Sequence, residues 1–298
     1  MEGSPPPVDT LVTLANWQDP PFNRWSFSHL RELVPTQRIS RGTGPVTPLL
    51  SDPRSLDGDQ FVRTDGSPGT VGGVVADTFT DAVVVVHAGS IALEQYFGET
   101  RPDTPHLLMS VSKSMVGCVV ACLVDSGALE VGALVTAYVP ELDSSGYAGA
   151  TIRDLLDMRS GVKFSEDYTD LDAEVRIIEQ AWGWRPAAHG RETGSMYEYL
   201  TTLVSDREHG GPFSYRSCET DVLGWVCERA SGERMAALLS ELVWAPMGAE
   251  SDAEVSCDAV GERSVHGRRL VPEPVLVRPP PARAGAVVPR HLRPDGLR

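Results

Sequence analysis

The sequence predicts a mixed α/β protein, with an antiparallel strand pair followed by a mostly helical middle. Two observations carry that expectation. The apolar runs at 82–86 and 91–97 flank His87-Ala88-Gly89-Ser90, and two β-prone runs around a short glycine-containing turn form a β-hairpin. Downstream, 110–126 is apolar at Val111, Met115, Val116, Val119, Val120, Leu123 and Val124, a broad helical face that Gly127 closes. At 298 residues, 41% hydrophobic and 22% charged, the chain is long enough and apolar enough to bury a sizeable core.

The remaining elements follow in order. Residues 1–75 are rich in Pro, Gly, Ser and Asp without apolar periodicity, which predicts a loop-rich N-terminal arm with one short helix near 28–33. The Gly-rich stretch 66–73 lacks the lysine of a phosphate loop, and no helical pattern follows it, so it reads as a plain loop. Short helices are expected near 152–158 and 197–204, with polar, irregular chain over 161–194 between them. A helix over 218–230 has Ser231-Gly232 as its stop, and another covers 234–244. From 261 onward the composition changes: 8 Arg and 7 Pro stand against 3 acidic residues, giving +5 where residues 1–260 carry −20. Residues 76–260 therefore form the expected folded domain, and 261–298 an Arg/Pro-rich disordered tail.

A net charge of −15 argues against nucleic acid and anionic membranes as partners. No apolar run is long enough to span a bilayer, and the acidic, proline-rich start does not resemble a signal peptide. The five cysteines form no CxxC pair, which fits free thiols in a reducing compartment and argues against a metal site. A cytoplasmic protein is the resulting expectation. Its partner would be a small-molecule substrate, with a second copy of the chain, as a homodimer, left open.

Chemistry concentrates around the lysines. Only two of the 26 basic residues are lysine, Lys113 and Lys163, and each ends a Ser-x-x-Lys. A lysine can give up its proton, which arginine cannot do. Ser110-Val111-Ser112-Lys113 opens an apolar-faced helix, so hydroxyl and amine share one face and backbone N–H groups of the first turn stand beside them. Ser160-Gly161-Val162-Lys163 instead follows a helix end, and its spacing is read as coincidence. Tyr215-Arg216-Ser217 precedes the helix over 218–230, after Gly210-Gly211-Pro212. A tyrosine there can relay a proton from a Ser/Lys pair to a leaving group, and Ser217 can extend the relay.

Ser110-x-x-Lys113 followed about a hundred residues later by Tyr215-x-Ser217 resembles the serine β-lactamase and penicillin-binding-protein superfamily. Longer stretches resemble the 6-aminohexanoate-dimer hydrolases of its class C branch. They are Trp17-Gln18-Asp19-Pro20-Pro21-Phe22-Asn23-Arg24-Trp25, His106-Leu107-Leu108-Met109-Ser110-Val111-Ser112-Lys113-Ser114, Tyr138-Val139-Pro140-Glu141-Leu142 and Glu166-Asp167-Tyr168. The likeness runs over about 14–260. It implies a β-lactamase-like α/β (α+β) fold, a helical subdomain against an antiparallel sheet. It also implies a serine hydrolase, without metal or organic cofactor, that cleaves a linear amide or ester through an acyl-enzyme on Ser110. Lys113 would be the base and Tyr215 the proton shuttle, while Tyr168 and Ser217 would meet the substrate. The family's third motif, a Lys-Thr-Gly or His-containing variant on a strand that supplies an oxyanion donor, has no counterpart. Val265-His266-Gly267 imitates it too soon after Tyr215. The implied fold therefore lacks its C-terminal strands, as a truncated or frameshifted gene would give. A carboxylesterase or β-lactam-processing enzyme, or a catalytically impaired remnant, are the alternatives.

Overall fold

Local chemistry sets most element boundaries. The computed structural model describes residues 4–187, 194–258 and 270–277, the last as a backbone path. Its first elements are α1 (Asn23–Ser26), β1 (Thr36–Ile39), β2 (Leu50–Ser51), β3 (Gln60–Val62), β4 (Pro68–Thr70), α2 (Val71–Asp77), β5 (Ala82–His87), β6 (Ser90–Tyr96) and β7 (His106–Leu107). The helical middle holds α3 (Ser112–Asp125), α4 (Val135–Tyr138), α5 (Ile152–Leu156), α6 (Glu174–Ala181), α7 (Met196–Thr202), α8 (Ser217–Ser231) and α9 (Met235–Leu238). Strands β8 (Ala253–Cys257) and β9 (Leu270–Val277) follow.

The described residues divide into two units. One comprises 4–40, 106–187, 194–244, 252–258 and 270–277; the other comprises 41–105 and 245–251. In the first, β1, β8, β9 and β7 form an antiparallel sheet in that order, with the helices α1 and α3–α9 in the same unit. Its core includes Trp17, Val119, Leu142, Ile152, Leu155, Ile178, Leu200, Val222 and Val226, each at most 1% exposed. Capping boxes start α5 (Thr151 with Asp154) and α7 (Ser195 with Glu198), satisfying N–H groups that a helix leaves open at its first turn. Gly232, at φ +77°, ends α8 in the left-handed conformation a glycine adopts without strain.

In the second unit β5 and β6 form the expected hairpin. Its two turn residues, Ala88 (φ +49°) and Gly89 (φ +78°), both take the positive φ that matches such a turn to the twist of its strands. Strand β2 adds in parallel to β6, so the hairpin belongs to a three-stranded sheet, and β3 pairs with β4 beside it.

Four expectations are corrected. Residues 1–75 are divided between the two units rather than forming one arm. Thr36–Ile39 lies in the four-stranded sheet, and Trp17 is buried with its indole N–H donating to the Trp184 carbonyl at 2.8 Å. A helix, α2, does follow the Gly-rich stretch, capped by the Thr70 hydroxyl, although the lysine of a phosphate loop is still lacking. The stretch 161–194 contains α6, whose buried Val175, Ile178 and Ala181 recur at helical spacing among charged residues. Two strands, β8 and β9, follow residue 247, and β9 lies inside the segment expected to be a disordered tail. Its Pro272 and Pro274 masked it, because proline cannot donate to a ladder. The register resolves the conflict: Val255 pairs with Val275 and Cys257 with Leu270, so both prolines fall in the irregularity between those pairs. Val265-His266-Gly267 lies outside the described residues.

Replacing Trp17 with alanine is expected to cost about 3–5 kcal/mol, since it removes a fully buried indole and leaves the Trp184 carbonyl unpaired. A urea titration reads this as a lower midpoint at unchanged slope; an N-terminal arm detached from the core would leave the midpoint in place.

Candidate active site

The site lies wholly within the first unit. Ser110 sits in a one-turn 3-10 helix, Met109–Val111, that runs directly into α3. Met109 holds φ +47°, a left-handed conformation that costs a non-glycine residue energy, and the buried Ser112 hydroxyl ties its carbonyl at 2.5 Å. The turn leaves Ser110 exposed at the helix start with Lys113 one turn on.

Three sequence-predicted residues meet there. Lys113 Nζ lies 3.1 Å from Ser110 Oγ, and the Tyr215 hydroxyl donates to the same oxygen at 2.8 Å. The lysine also stands over the Tyr215 ring, 5.3 Å from its centroid. Ser110 Oγ thus has an amine and a phenol within hydrogen-bond reach, the geometry an activated nucleophile needs.

Tyr168 and Ser217 are brought together, but by a residue the sequence reading had quoted without giving it a role. One oxygen of Glu166 accepts from the Tyr168 hydroxyl at 2.8 Å, and the other accepts from the Ser217 backbone N–H. A carboxylate at that N–H caps the first turn of α8, where the helix dipole favours negative charge. Burial and the bond to Glu166 push the Tyr168 phenol above its ordinary range, so it stays a donor. Tyr168 is half exposed. Ser217 is 2% exposed and its hydroxyl is sealed, which corrects the expectation that it meets the substrate directly. That hydroxyl faces the Tyr168 phenol without closing a hydrogen bond of ordinary length.

The second Ser-x-x-Lys does not assemble. Ser160 is 1% exposed and donates to Glu219 at 2.6 Å, whereas Lys163 is exposed. Arg216 completes a buried cluster, reaching the Ser160 carbonyl at 3.2 Å and Glu219 at 3.3 Å. Burial pushes the Glu219 carboxyl up to about 7, against the Ser160 hydroxyl and Arg216 guanidinium, which pull it down. Two residues on from Glu219, Asp221 is also 1% exposed, and burial raises it to about 7 as well. No helical periodicity announced either acid, because polar residues are read onto a solvent face. Among the described residues no group of three or more His, Cys, Asp or Glu could hold a metal ion. None of their helices is long and apolar enough to cross a membrane.

A family model described as Beta-lactamase matches residues 65–296. The 6-aminohexanoate-dimer hydrolase of Paenarthrobacter ureafaciens is 39% identical over 252 residues, 84% of this chain and 61% of that protein. The chain therefore spans about three-fifths of that curated relative. A solved structure named "Putative 6-aminohexanoate-dimer hydrolase from Bacillus anthracis" superposes with a TM-score of 0.78 at 26% identity, over 89% of this chain and 69% of that one.

Asp221 and Glu219 make stability fall as pH rises. Each has a folded pKa above its unfolded value, so between about pH 4 and 7 the folded state holds the extra proton and loses stability on deprotonation. The slope is at most about 1.4 kcal/mol per pH unit for each group. Urea midpoints at pH 5 and pH 8 should differ accordingly, and the difference should shrink in Asp221→Asn. Equal differences in the two proteins would mean Asp221 does not titrate in this range.

Proposed function

The chain belongs to the beta-lactamase family, and on that premise we propose that it is a serine hydrolase cleaving linear amide or ester bonds through an acyl-enzyme on Ser110. The observation that carries the reading is the convergence of Lys113 and Tyr215 on the Ser110 hydroxyl. A linear amide like a 6-aminohexanoate dimer is the substrate class, on the strength of the 39%-identical relative of that name.

The chemistry proceeds in two halves. Ser110 Oγ attacks the carbonyl carbon as Lys113, the base, takes its proton, and a tetrahedral oxyanion forms beside the Ser110 backbone N–H. Collapse breaks the carbon–nitrogen bond, and Tyr215 delivers a proton to the departing amine, regaining one from Lys113. Water then attacks the ester; its proton passes back through the same pair, and Ser110 leaves as the hydroxyl. Tyr168 is half exposed and gives its one O–H to Glu166, so its phenol oxygen is left to accept from the substrate amide N–H. Ser217 acts from behind it: its backbone N–H anchors the Glu166 carboxylate. Five free thiols favour residence in the reducing cytoplasm.

A fluorophosphonate probe tests the nucleophile, because the serine oxygen–phosphorus bond forms as fluoride leaves. Peptide mapping should place the label on Ser110, and label on Ser160 or Ser112 would overturn the assignment. Lys113→Arg keeps charge and reach but holds its proton to above about pH 12. Its acylation rate should fall about 10²- to 10⁴-fold, the usual worth of a general base. Acylation at the parent rate would make Lys113 a scaffold and Tyr215 the base.

A further inference from the structure

Arg176, in the first turn of α6, is spent on Tyr168. Its guanidinium lies over the Tyr168 ring, 5.2 Å from the centroid. Two of its nitrogens donate to the Tyr168 carbonyl, Nε at 2.9 Å and Nη2 beside it. The third, Nη1, donates at 2.8 Å to Glu179, one turn further along the helix. That carboxylate is 2% exposed, and three side chains end on it. Its Oε2 accepts from Arg176 and from the Nε of Arg185, and its Oε1 accepts from the Gln18 amide at 3.3 Å. Gln18 follows the buried Trp17, so the network is rooted in the core of the first unit. A planar guanidinium can serve a carbonyl with two N–H groups and a carboxylate with a third while stacking on a ring; an ammonium cannot. A buried carboxylate is costly once its partners are removed, so Glu179 holds Arg176 in the rotamer that reaches Tyr168. Elsewhere in the loop the turns are local, with Thr169 bonded back to Asp167 and Asp172 to Asp170. An arginine that only braced a loop would work from solvent, whereas the Arg176 side chain is 14% exposed and grips both the ring and the main chain of one residue.

We propose that Arg176 and Glu179 are positioning residues that make Tyr168 a fixed acceptor for an amide N–H, and so set a preference for amides over esters. The proposal deepens the serine-hydrolase reading and rests on it. Neither side chain has a part in the mechanism above; both act through Tyr168. Glu166 fixes the phenol end of that tyrosine, and Arg176 fixes its ring and its carbonyl. With its O–H given to Glu166, the phenol oxygen is left to accept. An amide substrate offers an N–H there, and an ester offers none. Ordering the acceptor before the substrate arrives removes a cost that amide binding and reaction would otherwise meet. An ester gains nothing from it, and that difference separates a positioning role from a merely structural one.

The test is hydrolysis of the linear 6-aminohexanoate dimer and of p-nitrophenyl acetate by the intact chain and by Arg176→Lys. Amide kcat/KM should fall about tenfold, the worth of one ordinary hydrogen bond, while ester kcat/KM stays nearly unchanged. In a Tyr168→Phe background, where the acceptor is gone, Arg176→Lys should cost nothing further on the amide. Equal losses on both substrates, unchanged amide turnover, or a full loss in the Tyr168→Phe background would each overturn the proposal. Failure of the intact chain to take a fluorophosphonate on Ser110 would instead overturn the hydrolase reading itself. An intact chain that labels but cleaves only the ester would remove the amide reading, and this inference with it. Should Arg176→Lys fail to label Ser110, arginine side-chain NMR of the Ser110→Ala chain decides the matter. The Arg176 Nε–H signal, assigned through its contact with the Tyr168 ring, should shift on adding the dimer and stay in place on adding the ester. A signal indifferent to the dimer rules the proposal out.

Discussion

The anchoring of the first turn of α8 is the constraint on which the site depends. Tyr215 can reach Ser110 across 105 residues of chain only if the start of that helix is fixed. It is fixed by polar groups turned inward: Arg216 and Glu219 are both at most 1% exposed. Ser160 and its carbonyl receive Glu219 and Arg216, and Glu166 closes the Ser217 N–H. Buried ions are costly to desolvate, and removing one partner leaves the other uncompensated. The arrangement therefore tolerates few substitutions and holds one geometry.

The two Ser-x-x-Lys segments give a controlled comparison within one molecule. At Ser110 the segment enters a helix through a strained Met109, which keeps the hydroxyl at the surface and the amine one turn away. At Ser160 the same spacing follows the end of α5, and the serine is consumed by Glu219 while Lys163 turns to solvent. Spacing alone is neutral between the two fates. Secondary structure decides whether two residues three apart share a face.

Much of this was legible locally. The β5–β6 hairpin, the helices α3, α5, α7 and α8, and the Ser110–Lys113 pair all lie close to where pattern and turn chemistry put them, because their determinants are a few residues apart. Tyr215 was visible as a motif, and its meeting with Ser110 was implied by resemblance rather than by spacing. Strand β9 was not legible, since prolines argue against a strand until a partner's register leaves them outside the ladder.

The sequence by itself determined the nucleophile's local setting: a serine at a helix start, a lysine one turn on, and a hairpin upstream, all settled by short-range geometry. Tertiary structure alone decided which polar residues were buried. Glu166 bridges Tyr168 and Ser217 only because a loop is carried to the start of α8, and Asp221 loses its water only because α8 is packed into the core. Carboxylates on a helix are ordinarily read as its wet side, and nothing in their spacing distinguishes a solvated acid from one sealed in the core. Burial is a property of the packed chain, and so is the charge state it imposes.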